Sequence, residues 1–583
     1  MNIIAMSNKH PNNHYKKEYD YLIAGGGIAG LYTAYHLVQQ FPTAKICILE
    51  ASNRLGGRLH SIHLESDSTI EAGGARFNTQ QHRILSLIHT LGLDSKKIPI
   101  TNDSKYIPIQ PDYDPQLETF FPEIDDIIQK LQIHIHKHKI PDSKLIKTNL
   151  LELVHQIYSH QYPTIKKYLI SRYPYYSELH SLNALEGLSL FTHEFASKTQ
   201  YFILAGGLEQ LITSISKQLE KHSTVDIYLN QPLETISSLK TISSNQAYII
   251  TSLDKQYKAN KVILALPKSA LMKIKFLTQK PSIRHLLNSI QTEPLYRIYA
   301  RYPIDKKTGK VWFADLPKIV SNLAIKYIIP SNIDKGIIMI SYTDSKFANY
   351  WFKLLTKGND TLKKELSREL KLLFPAQNIP EPIWIKHYYW QMGAGYWKPG
   401  FSRKELIPKI TKPFIEHNIF ICNENYSSHQ AWVEGSLESA DYVLQKFNKS
   451  TTQHSSTSTR TKSKRTSTRT KSKQTSTSSK TKLQNTKEKQ NVKEKQNTKD
   501  NKKLTKKMRM ITIQEVMKHN KKTDAWIVIN GKVADITEWI PKHPGGDIIM
   551  KGVGKDATKL FNQIGHDEYA KKMLKKYQIG VLI

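Results

Sequence analysis

The chain has 583 residues, only two cysteines (Cys47 and Cys422), and 85 lysines and arginines against 50 aspartates and glutamates, a net charge of +35. Two cysteines exclude a disulfide framework and any zinc or iron–sulfur site built on cysteine. No apolar run reaches the roughly 18 residues of a membrane span, and the first residues lack the apolar core of a secretory signal. We therefore expect a soluble, cytoplasmic protein whose charge invites contact with nucleic acid or an anionic surface.

The first predicted elements are a buried strand at residues 19–24, a helix after it and a second strand that ends in Glu50. Between the first strand and the helix stand Gly25, Gly27 and Gly30, in the spacing G-x-G-x-x-G. This order is typical of a dinucleotide site, because the first glycine permits a tight turn, the second lets a pyrophosphate approach and the third lets helix and strand pack closely. The helix N-terminus then faces the phosphates, and the acid can hold the ribose hydroxyls. The alternative is a glycine-rich turn with no ligand.

Further segments follow in the order found in one flavoprotein superfamily. They are residues 54–58, 71–77, 205–208, 261–267, 419–424 and 431–436. Over residues 19–447 the chain therefore resembles the flavin-containing amine oxidase superfamily, which includes monoamine, polyamine and L-amino-acid oxidases. The resemblance implies a noncovalent FAD, because the loop at residues 390–400 lacks the cysteine to which monoamine oxidases attach flavin. The FAD-binding residues that it implies are Gly25, Gly27, Gly30, Glu50, Arg54, Gly57, Arg58, Gly73, Gly74, Glu424 and Glu434.

The resemblance also implies a fold for residues 19–448. An α/β Rossmann-type FAD domain would be assembled from residues 19–102, 200–290 and 412–447, and an interleaved α+β substrate domain from residues 103–199 and 291–411. Helical patterning and many tyrosines over residues 115–185 predict a cap above the site. Residues 1–18 are polar and are predicted to be a disordered N-terminus.

Three residues are candidates for the catalytic site. Trp432 stands where relatives place an aromatic wall beside the flavin, or it is a core residue that stabilises the last FAD helix. Arg76 aligns with the carboxylate-binding arginine of L-amino-acid oxidases, and a guanidinium fork suits a carboxylate; pairing with an FAD phosphate or an acid is the equal alternative. Arg297 stands where the family usually has a lysine that holds a water against the flavin. Arginine is not a conservative exchange there, so the family's reaction with dioxygen does not carry over automatically.

Much of the charge lies in residues 449–507, which hold 19 basic and 3 acidic residues and no aromatic, glycine, proline, isoleucine or alanine. The sequence TSTRTKSK occurs twice in this segment, and KEKQN also occurs twice. Such a segment cannot bury enough apolar area to offset the entropy of ordering it. It is predicted to be a basic, disordered, low-complexity linker, whose contacts with anions would be weak and nonspecific because it has no aromatic residue for base stacking.

The last segment, residues 508–583, carries a second motif. Strands are predicted at residues 525–529 and 531–537, His543 opens the sequence HPGG, and His566 follows 23 positions later. This segment resembles cytochrome b5, a small α+β domain, and its two axial ligands of haem b map onto His543 and His566. Two imidazoles on one iron leave no open position, which favours electron transfer over dioxygen chemistry. One alternative is two unrelated surface histidines. Another is a steroid-binding relative of the family that has HPGG without haem, but such relatives lack the second histidine and His566 argues against it.

Together the two resemblances imply an FAD-dependent oxidoreductase that oxidises an amine or amino acid by hydride transfer to flavin. Electrons would pass to the haem, and through it to a further acceptor, or to dioxygen. One alternative is a flavin-dependent desaturase or porphyrinogen-type oxidase. Another is a degenerate flavoprotein that binds partners through its basic linker. The bias toward isoleucine, lysine and asparagine is typical of an AT-rich genome, such as that of a large DNA virus, which would place the protein in a host cytoplasm or a virion.

Overall fold

The structure is a computed structural model, and it divides into two compact units, Met1–Ser463 and Lys464–Ile583. The described residues are 17–64, 68–101, 103–109, 114, 116–121, 123–195, 199–239, 247–454, 509–543, 546–564 and 568–583. Nearly all of the predicted disordered start, and the predicted linker from residue 455 onward, lie outside these ranges. We describe the two units separately.

The large unit begins with short strands and two helices. They are β1 (Lys17–Ala24), α1 (Ile28–Gln40), β2 (Ile46–Leu49), β3 (Ser61–Leu64), β4 (Ser68–Glu71), β5 (Phe77–Asn78), α2 (His82–Thr90) and β6 (Lys97–Ile100). A mainly helical segment follows, formed by β7 (Lys105–Ile107), α3 (Gln116–Phe120), α4 (Ile124–Lys137), α5 (Asp142–Leu145), α6 (Leu150–Ile157), α7 (Tyr162–Arg172), α8 (Tyr176–His180) and α9 (Ala184–His193).

The chain then returns to the first part of the unit before it builds a second sheet. The returning elements are β8 (Tyr201–Leu204), α10 (Glu209–Leu219), β9 (Val225–Tyr228), β10 (Thr235–Leu239), β11 (Ala247–Ser252), β12 (Lys255–Leu264), α11 (Lys268–Leu271), α12 (Lys275–Thr278) and α13 (Pro281–Leu287). The rest of the unit consists of β13 (Ile290–Arg301), β14 (Ile319–Ser321), β15 (Tyr327–Asn332), β16 (Ile337–Asp344), α14 (Ser345–Thr356), α15 (Asn359–Leu373), β17 (Trp384–Trp397), α16 (Arg403–Thr411), β18 (Ile419–Ile421) and α17 (Val433–His454).

The first sheet has seven strands, and its centre is parallel in the order β9-β2-β1-β12-β18. Strands β10 and β11 extend it by antiparallel pairing next to β12. Both faces of β2 are buried, which is what a strand of four apolar residues requires inside a parallel sheet covered by helices. Because β1 lies at the centre, the turn after it opens at the carboxyl edge of the sheet, where doubly wound folds bind their ligands.

The second sheet has six strands in the order β17-β13-β16-β15-β14-β7 and is mostly antiparallel. Helices α14 and α15 pack against it and bury Trp351 and a row of leucines on α15. Strand β7, from the segment before the helical cap, pairs in parallel with β14. Helices α4, α6, α7 and α9 surround a separate apolar core, and α6 begins with a capping box formed by Asn149 and Glu152.

The described residues of the small unit form five strands and three short α-helices. They are β19 (Arg509–Ile511), α18 (Ile513–Val516), β20 (Asn520–Lys521), β21 (Asp524–Ile529), β22 (Lys532–Asp535), α19 (Thr558–Ile564), α20 (Glu568–Lys576) and β23 (Gln578–Leu582). The strands form one sheet in the order β19-β23-β22-β21-β20. Its core is apolar and includes Ile527 and Ile536.

Two boundaries differ from the prediction. Strand β1 begins at Lys17, two residues earlier, and helix α17 runs to His454, six residues into the predicted linker. Both extensions continue an element whose hydrogen bonds are already formed, so the next residue needs no new nucleus. Within the described ranges, no helix is long and apolar enough to cross a membrane.

Candidate functional site

The turn after β1 contains glycines of two kinds. Gly25 has a φ of +107°, and a Cβ on it would lie 2.4 Å from the Ala265 carbonyl oxygen. A Cβ on Gly30 would lie 2.0 Å from the Gly25 carbonyl oxygen, so the packing of helix against strand requires glycine there. A Cβ on Gly27 would meet nothing within 4 Å. The fold therefore requires the first and third glycines, whereas the middle one fits a group that approaches the backbone from outside.

The start of helix α1 lies at this open position. Gly27 is its N-cap and offers no side-chain acceptor, and the first turn of the helix has no acidic residue. The free N–H groups and the helix dipole there suit a phosphate. Glu50 faces the same turn, since its carboxylate accepts hydrogen bonds from the Gly26 N–H at 2.8 Å and the Ser52 N–H at 2.9 Å.

The loop after Glu50 runs beside the turn, where Gly27 and Gly56 form an isolated parallel bridge. Arg54 braces this loop by donating to the Gly57 carbonyl at 2.7 Å and the Leu55 carbonyl at 3.1 Å. Arg58 forms an ion pair with the buried Glu424 and donates to the Gly393 carbonyl at 2.9 Å. The pair joins the loop to the segment after β18.

The second glycine pair packs against the same loop. A Cβ on Gly73 would lie 1.8 Å from the Arg58 carbonyl oxygen, and the Gly74 N–H donates to that oxygen at 2.9 Å. Glu434, also predicted to bind FAD, is 1% exposed, and its carboxylate accepts from the Arg83 and Ile84 N–H groups at the start of α2. Glu434 therefore caps α2 and also forms an ion pair with the Arg83 guanidinium at 3.2 Å.

Arg76 and Trp432, two of the predicted catalytic residues, lie together. The Arg76 guanidinium is 4.9 Å from the ring centre of Tyr201 and 5.7 Å from that of Trp432, and it donates to the Tyr175 hydroxyl at 3.5 Å. The surrounding rings form what we call the tyrosine cluster: Tyr175, Tyr201, Tyr327, Tyr342 and Trp432. Tyr175 comes from the cap, Tyr201 from β8, Tyr327 and Tyr342 from the second sheet, and Trp432 from the turn before α17.

The charge of Arg76 has no close counter-charge. Among the described residues, no acid lies within ion-pair distance of its guanidinium, although the residue keeps some accessible surface. Burial acts to lower the pKa of Arg76, but the neighbouring tyrosine hydroxyls outweigh it and the pKa is raised, so the group stays charged. A charge enclosed without a partner is costly, which suits a site that receives an anion.

Arg297 contacts the tyrosine cluster through Tyr342. Its guanidinium is 4.6 Å from the ring centre of Tyr342, and its Nη1 donates to the Glu71 carbonyl at 2.9 Å. The rings of Tyr342 and Tyr175 meet edge to face, with centres 5.5 Å apart. The three predicted catalytic residues are thus brought around one group of rings.

Sequence reasoning did not single out the four tyrosines or Glu178, a buried acid on α8. The hydroxyl of Tyr173 donates to the Glu178 carboxylate, and burial raises the pKa of this carboxyl to about 8. The abundance of tyrosine over residues 115–185 is a signal for Tyr175 alone, because Tyr201, Tyr327 and Tyr342 lie outside that segment.

In the small unit, His543 ends the 3₁₀ turn Ile540–Lys542. The apolar core beside that turn includes Ile540 and is bordered by Trp539 and Phe561. Apolar walls and an imidazole suit a haem, and His543 would be one axial ligand if a haem binds there. His566, the second predicted ligand, lies outside the described residues.

Comparisons with known proteins match both units. Residues 28–443 match the model of the family described as flavin containing amine oxidoreductase, and residues 512–583 match the cytochrome b5-like heme/steroid binding domain. An uncharacterized protein, R188 of Acanthamoeba polyphaga mimivirus, is 23% identical over 492 residues, which cover 74% of this chain and 94% of that protein. Cytochrome b5 isoform B of Arabidopsis thaliana is 45% identical over 73 residues, 12% of this chain and 54% of that protein.

Solved structures share the fold of the large unit at low sequence identity. Putrescine oxidase bound to putrescine superposes with a TM-score of 0.58 at 17% identity, over 75% of this chain and all of that one. A structure from Exiguobacterium sp. 255-15, solved under the provisional name protoporphyrinogen oxidase, superposes with a TM-score of 0.54 at 16% identity, over the same shares of the two chains.

Proposed function

This chain belongs to the flavin containing amine oxidoreductases and ends in a cytochrome b5-like domain, and from that membership we propose that it uses FAD to oxidise an amino acid and delivers the electrons to a haem. Bound FAD would supply a two-electron oxidant and a bis-histidine haem a one-electron acceptor. Gly27, Glu50 and Arg58 would hold the FAD. Its attachment would be noncovalent, since strand β17 carries no cysteine.

The uncompensated charge of Arg76 carries the proposal for the substrate. A guanidinium fork binds a carboxylate through two parallel hydrogen bonds, and the bond is stronger where water is excluded. The rings of the tyrosine cluster cover much of the guanidinium and limit its contact with water. Glu178 does not neutralise Arg76 at neutral pH, because its raised pKa keeps it mostly protonated. A diamine such as putrescine would bring positive charge toward Arg76 and is disfavoured.

An anaerobic panel of amino acids and amines tests this proposal through bleaching of the flavin absorbance. We expect amino acids to bleach the flavin and Arg76→Gln to lower kcat/KM about 100-fold, mostly through KM, since a lost buried charge pair costs about 3 kcal/mol. The matched control is Arg403→Gln, which removes a guanidinium paired with Glu186 at 3.0 Å. Bleaching by diamines alone, or an equal loss in both variants, would contradict the assignment.

The route to the haem is tested in the full chain by stopped-flow reduction with the amino acid that turns over. We expect the Soret band of the haem to shift to the reduced form after flavin bleaching. In His543→Ala the flavin should still bleach while no haem is reduced. Stoichiometric peroxide with an unchanged Soret band in the unmodified chain would show that dioxygen is the acceptor instead.

A porphyrinogen-type oxidation is the second candidate. Its substrate would also present carboxylates to Arg76 and an apolar body to the aromatic rings. Anaerobic bleaching by a porphyrinogen, with no response to any amino acid, would favour it.

A further inference from the structure

Glu178 lies near the tyrosine cluster, and the proposed function gives it no role beyond leaving Arg76 unneutralised. It sits in helix α8, is 5% exposed and accepts a hydrogen bond from the hydroxyl of Tyr173. The rings of Tyr173 and Tyr175 are 5.9 Å apart, and Tyr175 in turn accepts from Arg76. Glu178 therefore reaches the same cluster of rings as the cation, without being within ion-pair distance of it.

The pKa of Glu178 is set by two influences that raise it and two that lower it. Burial is the largest cause of its raised pKa, and the carboxylate of Asp344 at the end of β16 raises it further. The hydrogen bond from Tyr173 and the charge of Arg76 act in the opposite direction. Asp344 is itself fixed, because it accepts from the Tyr176 and Ser177 N–H groups at 2.8 Å. The resulting pKa of Glu178, about 8, places its ionisation just above neutral pH.

Few of the other groups that face Glu178 change charge in that range. Burial raises the pKa values of Tyr201 and Tyr327 to about 12, and it raises those of Tyr173, Tyr175 and Tyr396 well above the ordinary value of tyrosine. Burial raises the pKa of Asp344 to about 6, so it is mostly ionised by pH 7. Lys318, over the ring of Tyr327, is the competing group, because burial and Arg76 lower its pKa to about 8.

We propose that Glu178 is an internal competitor for Arg76, so that the cluster accepts a carboxylate ligand only while Glu178 holds its proton. The inference rests on the proposed role of Arg76 as the carboxylate receptor. An ionised Glu178 would not contact Arg76, but its negative charge would offset part of the positive charge of the guanidinium and repel the incoming anion. Glu178 is thus a specificity-determining residue that makes anion affinity depend on pH.

Because ligand binding is coupled to protonation of Glu178, the competition predicts how affinity changes with pH. If ligand and ionised Glu178 exclude each other, the apparent Kd rises by about tenfold between pH 7 and pH 9. Binding at pH 9 then takes up close to one proton. Both quantities are properties of ligand binding and need no turnover.

The experiment is isothermal titration of the full-length holoprotein with benzoate, an aromatic carboxylate that cannot be oxidised as an amine. Titrations run from pH 6.5 to 9.5, in two buffers of different ionisation enthalpy, to count protons. We expect the tenfold weakening and the proton uptake in the unmodified chain and in Glu186→Gln. That control changes a buried carboxylate with a raised pKa that faces Arg403 instead. In Glu178→Gln the affinity should stay within twofold across the range, with no proton uptake.

A second variant guards against loss of folding in the first. Tyr173→Phe removes the hydrogen bond that lowers the pKa of Glu178, so the onset of weakening should move to higher pH. A slope retained in Glu178→Gln but lost in Lys318→Met would assign the titration to the lysine and overturn the proposal. Benzoate binding that is lost in Arg76→Gln, yet independent of pH in the unmodified chain, would overturn this inference and leave the proposed function standing. Equal binding to Arg76→Gln and the unmodified chain would overturn both.

Discussion

Charged side chains behave differently in the two halves of the candidate site. Around the glycine-rich turn, the charged groups have protein partners: Arg54 holds carbonyls of its own loop, Arg58 pairs with Glu424, and Glu434 caps a helix. Around the tyrosine cluster, Arg76 lacks an acid at ion-pair distance among the described residues, and Glu178 is kept mostly protonated. The charged groups around the glycine-rich turn hold the backbone in place. In our proposal, Arg76 in the tyrosine cluster stays available for a ligand.

The glycine pair Gly30 and Gly27 gives the largest test of this contrast. Gly30→Ala places a Cβ 2.0 Å from a backbone oxygen, so we expect a loss of roughly 1–3 kcal/mol or more in the free energy of unfolding, even without FAD. Gly27→Ala meets nothing within 4 Å and should leave the stability of the FAD-free protein unchanged while weakening FAD binding. Thermal unfolding and FAD titration measure the two effects. Equal destabilisation by both variants would show that the middle glycine also serves the fold.

Lys326 is a fully buried amine, and it tests how burial acts on a charged group outside the two halves of the site. Its Nζ donates to the Ile170 carbonyl at 2.5 Å at the end of α7, and burial lowers its pKa to about 7. The unfolded chain, with an ordinary lysine pKa, binds more protons between about pH 7 and pH 10, so stability should rise with pH across this window. We expect the unfolding free energy of the unmodified chain, relative to Lys326→Met, to rise by roughly 2–4 kcal/mol from pH 7 to pH 10.

Urea unfolding at several pH values measures this difference. Lys280→Met is the matched control, because that lysine is exposed and pairs with Glu416. Its curve should run parallel to that of the unmodified chain. Parallel curves for Lys326→Met as well would mean that the buried amine does not titrate in this range.

Arg297 lies at the border between the two halves, and its effect should be the smallest. Replacement by lysine removes the fork that reaches the Glu71 carbonyl and restores the residue type usual in the family. We expect Arg297→Lys to raise the peroxide formed per substrate oxidised severalfold, with little change in the rate of anaerobic flavin bleaching. An unchanged peroxide yield would remove Arg297 from any role in the choice of acceptor.

The fold class, the family and the C-terminal domain were predictable from sequence, and the comparisons confirm them. These features were predictable because they depend on residues close together in sequence. Gly25, Gly27 and Gly30, for example, determine the turn between the first strand and the first helix. The tyrosine cluster has no such spacing, because Arg76 and Tyr175 are 99 positions apart and Tyr327 and Tyr342 come from a different sheet. Glu178 was missed for a related reason, since its pKa depends on burial that only the assembled cap provides.

The carbonyls of Glu71 and Ala72, just before the second glycine pair, are bound by residues from much later in the chain. The Glu71 carbonyl accepts from Arg297 and Tyr299 of β13, and the Ala72 carbonyl accepts from the Trp390 indole of β17 at 2.6 Å. The first sheet is likewise incomplete without β18, which pairs in parallel with β12. We therefore expect the N-terminal part of the large unit to complete its contacts only after β18 has been synthesised. Contacts between residues distant in sequence form slowly. Before they form, unpaired strand edges stay exposed, and chaperones can bind them.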